Sequence, residues 1–209
     1  MSPKKPGKLQ RSFYNRSTLE VAPEILGKYI VYHAPAGTLS AKIVEVEAYI
    51  GRNDPACHAA NGKTERNEVM FGLPGFTYIY FIYGMYYCLN FVTEPEGTPA
   101  ALLLRAAEPV SGMEIMRKNS PGKNPLDLLN GPGKFCRSFG LTRNQNGYDL
   151  TGDVIYLEDR FTTVANIQRS GRIGIKNGAD RLWRYYDGDS RGLSIRRKVT
   201  RKRRDKQDA

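Results

Sequence analysis

The stretch from Val69 to Thr93 contains no Asp, Glu, Lys or Arg, and its second half reads TYIYFIYGMYYCLNFV, with five tyrosines. A charge-free run of that length either spans a membrane or is buried in a folded domain. Gly72, Pro74 and Gly75 interrupt its start and Gly84 its middle, where a span would call for an unbroken leucine-rich helix. Aromatic and β-branched residues on both sides of one glycine predict two strands folded into a hairpin about Tyr83 and Gly84. The turn lacks Asn-Gly or Asp-Gly, so its type stays open. No membrane segment is expected.

The flanking sequence extends this strand-rich pattern. KYIVYH reads as a strand, Ala34 to Gly37 as a turn, and LSAKIVEVEAYIG as a second strand. On that strand Val44, Val46, Ala48 and Ile50 share one face, expected to be core, while Ile43, Glu45, Glu47 and Tyr49 share the other. ALLLRA reads as a buried strand, and DVIYLE and RIGIK as further strands. Short helices are expected before Gly27, with Pro23 at its first position, after an S-x-x-E capping box of Ser111 and Glu114, and from Pro132 to Phe139 before Gly140. No repeat and no internal linker is visible in the 209 residues. The expectation is one α+β domain with a mainly antiparallel or mixed, curved sheet, short helices and a protruding β-hairpin.

Charge sits at the ends. The chain carries a net +11, yet residues 17–190 hold 18 basic against 19 acidic side chains. Residues 1–16 carry five Lys or Arg and no acid; RRKVTRKRRDKQDA closes the chain. Segments 1–16 and 197–209 have too few apolar residues to offset the entropy of ordering and are expected to be mobile, with residues 17–196 as the domain. Such tails suit phosphate contact, solubility or localisation equally well. Cys57, Cys88 and Cys136 stand far apart, and with His33 and His58 they form no metal spacing. No disulfide framework and no metal is expected. With no apolar leader ahead of the basic start, an intracellular setting is expected, bacterial cytoplasm or eukaryotic nucleus. Nothing calls for a second subunit, so a monomer is expected.

Glu45 and Glu47 lie two apart on one strand face, where their carboxylates repel, and Arg105, a lone cation in an apolar run, is the natural partner. An exposed strand face with a structural ion pair explains the same pattern. Tyr83 at a hairpin tip has few core neighbours, and tip side chains wedged between base steps are a recurring device of DNA binding; a ring folded back on the hairpin is the alternative. His58 follows closely enough on the acidic strand to reach the cleft of Glu47 and Tyr49, or it is a surface histidine. Neither Gly-Lys pair completes a phosphate-binding loop, and there is no G-x-S-x-G elbow.

Taken together, VEVEAYIG, DPACHA, YIYFIYGMYYCLN, LLLRAAEP, GPGKFC and RIGI occur in the order found in the alkyladenine (3-methyladenine, or methylpurine) DNA glycosylase family, and the chain resembles it from about Ala22 to Tyr186. The resemblance implies a monofunctional, cofactor-free enzyme acting on double-stranded DNA. It would hydrolyse the N-glycosidic bond of purines such as 3-methyladenine, 7-methylguanine, hypoxanthine and ethenoadenine after flipping them out. It further implies that Glu47 is the general base, that Arg105 helps bind the attacking water, and that Ile173 offers that water a backbone carbonyl. Tyr49, His58 and Tyr80 would stack on the extruded base, Asn90 would crowd out a guanine amino group, and Tyr83 would fill the gap in the duplex. Glu45 would either orient its neighbours or be a plain surface acid, the second being expected. The segment KNGADRLWRYYDGDSRGLS departs from the family's usual ending. Two rival readings are a noncatalytic nucleic-acid-binding protein on this scaffold and a nuclease with a carboxylate-held metal.

Overall fold

The computed structural model describes residues 6–194. Nine strands form one sheet: β1 (Gly7–Lys8), β2 (Tyr29–Ala34), β3 (Gly37–Ile50), β4 (Thr77–Ile82), β5 (Tyr86–Val92), β6 (Ala100–Ser111), β7 (Ile155–Asp159), β8 (Ile167–Ser170) and β9 (Arg184–Asp187). Four short helices accompany them: α1 (Arg11–Tyr14), α2 (Thr18–Glu24), α3 (Met113–Asn119) and α4 (Pro132–Phe139). The main path runs β1-β7-β2-β3-β6-β5-β4, with β9 joined to β3 and β8 to β9, and every pairing is antiparallel. This is the α+β architecture expected.

Long β3 is the organiser. One edge pairs with β6; the other is shared, β2 taking residues 37–42 and β9 taking 45–47. Ile43 pairs with Ala107, Glu45 with Ala106 and Val46 with Leu104, so Val44 and Arg105 have no opposite partner. Such bulges re-aim side chains without ending a ladder. On one sheet face Ile43, Val46, Ala48, Leu102 and Leu104 pack with Val21, Met116, Phe135 and Phe139 of the helices. Tyr49 and its partner Ala101 alternate with Ala48 and Leu102, so they look the other way, into a smaller cluster with Cys57, Met70 and Tyr78. The candidate site lies on this second face. Both faces of β3 are therefore buried between Leu39 and Ala48 apart from half-buried Lys42, where the alternation suggested one core face.

The charge-free stretch is the expected hairpin of β4 and β5, with Ile82 paired to Tyr86 across a three-residue tip. Tyr83 and Gly84 both adopt left-handed φ, 54° and 67°, and Tyr83 is 76% exposed. Among the described residues no helix is long and apolar enough to cross a membrane.

Four local expectations are corrected. Pro23 sits in the last turn of α2, not its first: the helix starts earlier because remote Glu94 accepts from the N–H and hydroxyl of Thr18 at 2.6 and 2.8 Å. No capping box forms at Ser111, whose hydroxyl bonds that of Ser40 across the sheet at 2.7 Å; Gly112 with φ 78° is the cap, against Thr38 and Leu39 where a Cβ would not fit. RIGIK is no strand, because the Ile173 N–H and the Arg172 side chain are drawn to carboxylates and Gly174 is left-handed. In the N-terminal segment expected to be mobile, β1 pairs with β7, Tyr14 is fully buried, and Arg11 bonds Asp149 and Pro74 at 2.6 Å each. The expectations for residues 1–5 and 197–209 lie outside the described residues.

Candidate active site

Glu47 is fully buried and accepts three hydrogen bonds: from Tyr49 OH at 2.9 Å and Arg105 Nη1 at 3.2 Å on Oε2, and from the Ile173 N–H at 2.7 Å on Oε1. All three donors line a cavity of about 320 Å³. Burial pushes the Glu47 carboxyl above its usual range, against the opposing pull of Arg105, the Ile173 N–H and Tyr49. A carboxylate offers about four acceptor positions. Three of them are occupied here.

Glu45 is no surface acid. Its side chain is fully buried, with Oε1 accepting from Arg105 Nε at 3.0 Å, Arg184 Nε at 2.7 Å and Ser194 Oγ at 2.6 Å. Burial alone would raise it, but the Arg184 and Ser194 hydrogen bonds outweigh that and hold the carboxyl below its usual range. The β6 bulge presents Arg105 to both acids at once, as their like-charge proximity required.

A second buried ion pair braces this wall. Arg172 reaches Asp54 through two bonds of 2.5 and 2.7 Å and donates to the Ala48 carbonyl at 2.9 Å. Its guanidinium lies 4.6 Å from the Tyr49 ring centre and 5.1 Å from that of Trp183. The pair thus ties the loop of Asp54 to the strand of Glu47 and presents the next residue, Ile173, to the carboxylate.

The opposite wall is aromatic. His58 Nδ1 bonds Tyr78 OH at 2.8 Å, and the His58 ring stands edge-on to Tyr80 with centres 4.4 Å apart. Burial, reinforced by Arg66, lowers His58 to about 4, so it is neutral at physiological pH. Burial pushes the Tyr78 phenol up to about 12 and raises Tyr49 and Tyr80 strongly. Asn90 donates to the Tyr78 carbonyl at 2.9 Å and shares the cavity with Met70, Cys88 and Tyr83.

The fold therefore brings Tyr49, His58, Tyr80, Tyr83, Asn90, Arg105 and Ile173 to one cavity, with Glu47 directly behind three of them. Sequence reasoning missed Tyr78, Asp54, Arg172, Arg184 and Ser194. Only Tyr78 carried a signal, sharing the strand parity of Tyr80. A carboxylate-held metal does not fit: two guanidiniums, two hydroxyls and two backbone N–H groups already occupy the two glutamates, and a cation there would face Arg105. Among the described residues no group of three or more His, Cys, Asp or Glu is placed to hold a metal.

Known proteins share this arrangement of sequence. The sequence model described as "Methylpurine-DNA glycosylase (MPG)" matches residues 12–191. The chain belongs to the methylpurine-DNA glycosylase family. It is 49% identical over 193 residues to a protein of Methanocella arvoryzae, covering 90% of this chain and 96% of the relative. It is 43% identical over 201 residues to one of Desulfitobacterium hafniense, covering 90% and 99%. To one of Carboxydothermus hydrogenoformans it is 47% identical over 180 residues, covering 85% and 94%. Each of the three bears the name "Putative 3-methyladenine DNA glycosylase". The protein is a DNA glycosylase, a hydrolase with DNA as its substrate.

Proposed function

We propose that this glycosylase removes alkylated or deaminated purines, with 3-methyladenine as the leading substrate and 7-methylguanine, hypoxanthine and ethenoadenine as the others. It acts after the nucleotide is rotated out of the duplex into the tyrosine-lined cavity. The observation that carries the reading is Glu47: a buried carboxylate held by three donors that all line one aromatic recess. A base stacked in the duplex hides its glycosidic bond, so extrusion must precede chemistry.

In this reading Glu47 takes a proton from a water while Arg105 fixes that water. The water oxygen bonds the sugar C1′ as the C1′–N bond breaks, and the bonding pair leaves with the purine. The carboxylate also favours the positive charge that develops on the sugar. Ile173 supports the base through its N–H, in addition to the carbonyl contact to the water that the resemblance implies. Tyr49, His58 and Tyr80 sandwich the purine, and neutral His58 lets a cationic methylated base enter without like-charge repulsion. Tyrosine faces attract such a cation by about 0.5 to 2 kcal/mol. Asn90, anchored to the Tyr78 carbonyl, limits the space for a guanine amino group. Tyr83, exposed at the hairpin tip, takes the place vacated in the stack, which returns part of the unstacking energy.

The test is release of free base from a methylated duplex in the presence of a chelator. Release without added metal supports the reading; binding without release returns the noncatalytic alternative.

A further inference from the structure

Beyond β9 the chain turns back along β6. Ser190 Oγ donates to Glu108 Oε1 at 2.6 Å, and the Gly192 N–H donates to Ser190 Oγ at 3.0 Å. Gly192 is buried so closely that an added Cβ would lie 3.1 Å from Glu108 Cγ and 3.5 Å from the Ala107 carbonyl oxygen. Two residues later the strap ends on the ion pair behind the cavity. The Ser194 hydroxyl donates to Glu45 Oε1 at 2.6 Å and accepts from Arg105 Nε and Nη2, each at 3.2 Å; its backbone N–H donates to Glu45 Oε2 at 2.7 Å.

A hydroxyl has one proton and two lone pairs, and all three are used here. Among the described residues, Ser194 alone bonds Arg105 Nη2 and Glu45 Oε2. It also lies beyond residues 12–191, the part matched to the family, and two residues before the basic run that starts at Arg196.

We infer that Ser194 is a positioning residue for base removal: resting on the roles proposed for Glu47 and Arg105, its hydroxyl fixes the guanidinium by Nε and Nη2 so that Nη1 stays on Glu47. Without it, Nη2 loses its partner in a place where an unpaired donor is costly, and the guanidinium can rotate to place both its edges on Glu45. Glu47 would then lose the cation that most opposes the effect of its burial, together with the group proposed to hold the water.

The test uses the full chain and duplex DNA methylated with dimethyl sulfate, following release of 3-methyladenine in single turnover, with duplex affinity measured separately. Ser194→Ala should slow release about tenfold, the size of ordinary coupling between contacting groups, with affinity within about twofold of wild type. Its acidic limb should move to higher pH, and Ser194→Thr, which keeps the hydroxyl, should restore both rate and limb. In an Arg105→Ala background Ser194→Ala should cost nothing further. A wild-type rate and limb in Ser194→Ala, or an equal additional loss in the Arg105→Ala background, would overturn the inference. If the wild type itself releases no base, the underlying assignment fails instead.

Discussion

The two walls of the cavity are built on opposite plans. The charged wall, from β3, β6 and residues 172–173, pairs the carboxylate oxygens of Glu45, Glu47 and Asp54 with guanidinium, hydroxyl or N–H donors inside the protein. The aromatic wall, from β4, β5 and the loop of His58, is held by ring contacts and by hydrogen bonds among neutral groups, such as those of His58 and Asn90 to Tyr78, and it runs out to an exposed tip. The contrast follows from what each must do. A buried carboxylate stays useful only if its orientation is set before substrate arrives, since reorganising charges in a low-dielectric site is costly. Stacking tolerates small shifts, because a purine presents a whole face.

Substitutions should therefore divide between rate and affinity according to wall. Glu47→Gln keeps the shape but cannot accept the water's proton, so single-turnover release should fall by about 10² to 10⁴ while duplex affinity is kept. An equal loss of affinity would erase the distinction between the walls. Arg172→Ala leaves Asp54 as an unpaired buried charge and should cost about 3 to 5 kcal/mol in urea unfolding, with slower release in whatever remains folded. Tyr80→Ala should weaken binding to lesion-bearing duplex by about 1 to 3 kcal/mol, the worth of one stacked base. A rate loss with unchanged affinity there would assign Tyr80 to the charged wall instead.

The smallest effect sharpens the comparison within the charged wall. Glu45 is depressed, so its contribution to stability is present above pH 4.5 and is lost as pH falls through its lower folded value. Glu47 is raised, so the folded state binds its proton more readily than the unfolded chain and gains stability as pH falls toward 4.5. The two oppose each other. Thermal unfolding of Glu47→Gln should consequently decline more steeply with acid than wild type.

Local patterns carried the elements whose cause is local. The hairpin followed from a charge-free aromatic run broken by Gly84, and α4 from Pro132 and Gly140, whose φ of 68° ends the helix as expected. The charge argument also placed Arg105 against Glu45 and Glu47, because two neighbouring carboxylates demand a cation whatever the fold. What it could not reach was set by distant chain. Period-two alternation has no mark for a bulge, so the register shifts that leave Val44 and Arg105 without opposite partners were not visible in LLLRA. Arg172 and Asp54 are 118 positions apart and Ser194 and Glu45 are 149 apart, and nothing in either local segment announces its partner. Glu45 was misjudged for the same reason: its further partners, Arg184 of β9 and Ser194 of the strap after it, come from 139 and 149 positions away.

The central claim is that Glu47, ionised and poised behind the tyrosine recess, activates the water that displaces a methylated purine. The most direct measurement is the pH dependence of single-turnover 3-methyladenine release by the wild-type chain, with Glu47→Gln alongside. The rate should be lost as pH falls through a limb lying above the ordinary carboxylate value of 4.5, since the base must be ionised and its affinity for the proton is raised by burial. Glu47→Gln should show no such limb and only residual release. Wild-type release that is flat across that range, or a limb that survives in Glu47→Gln, would contradict the account.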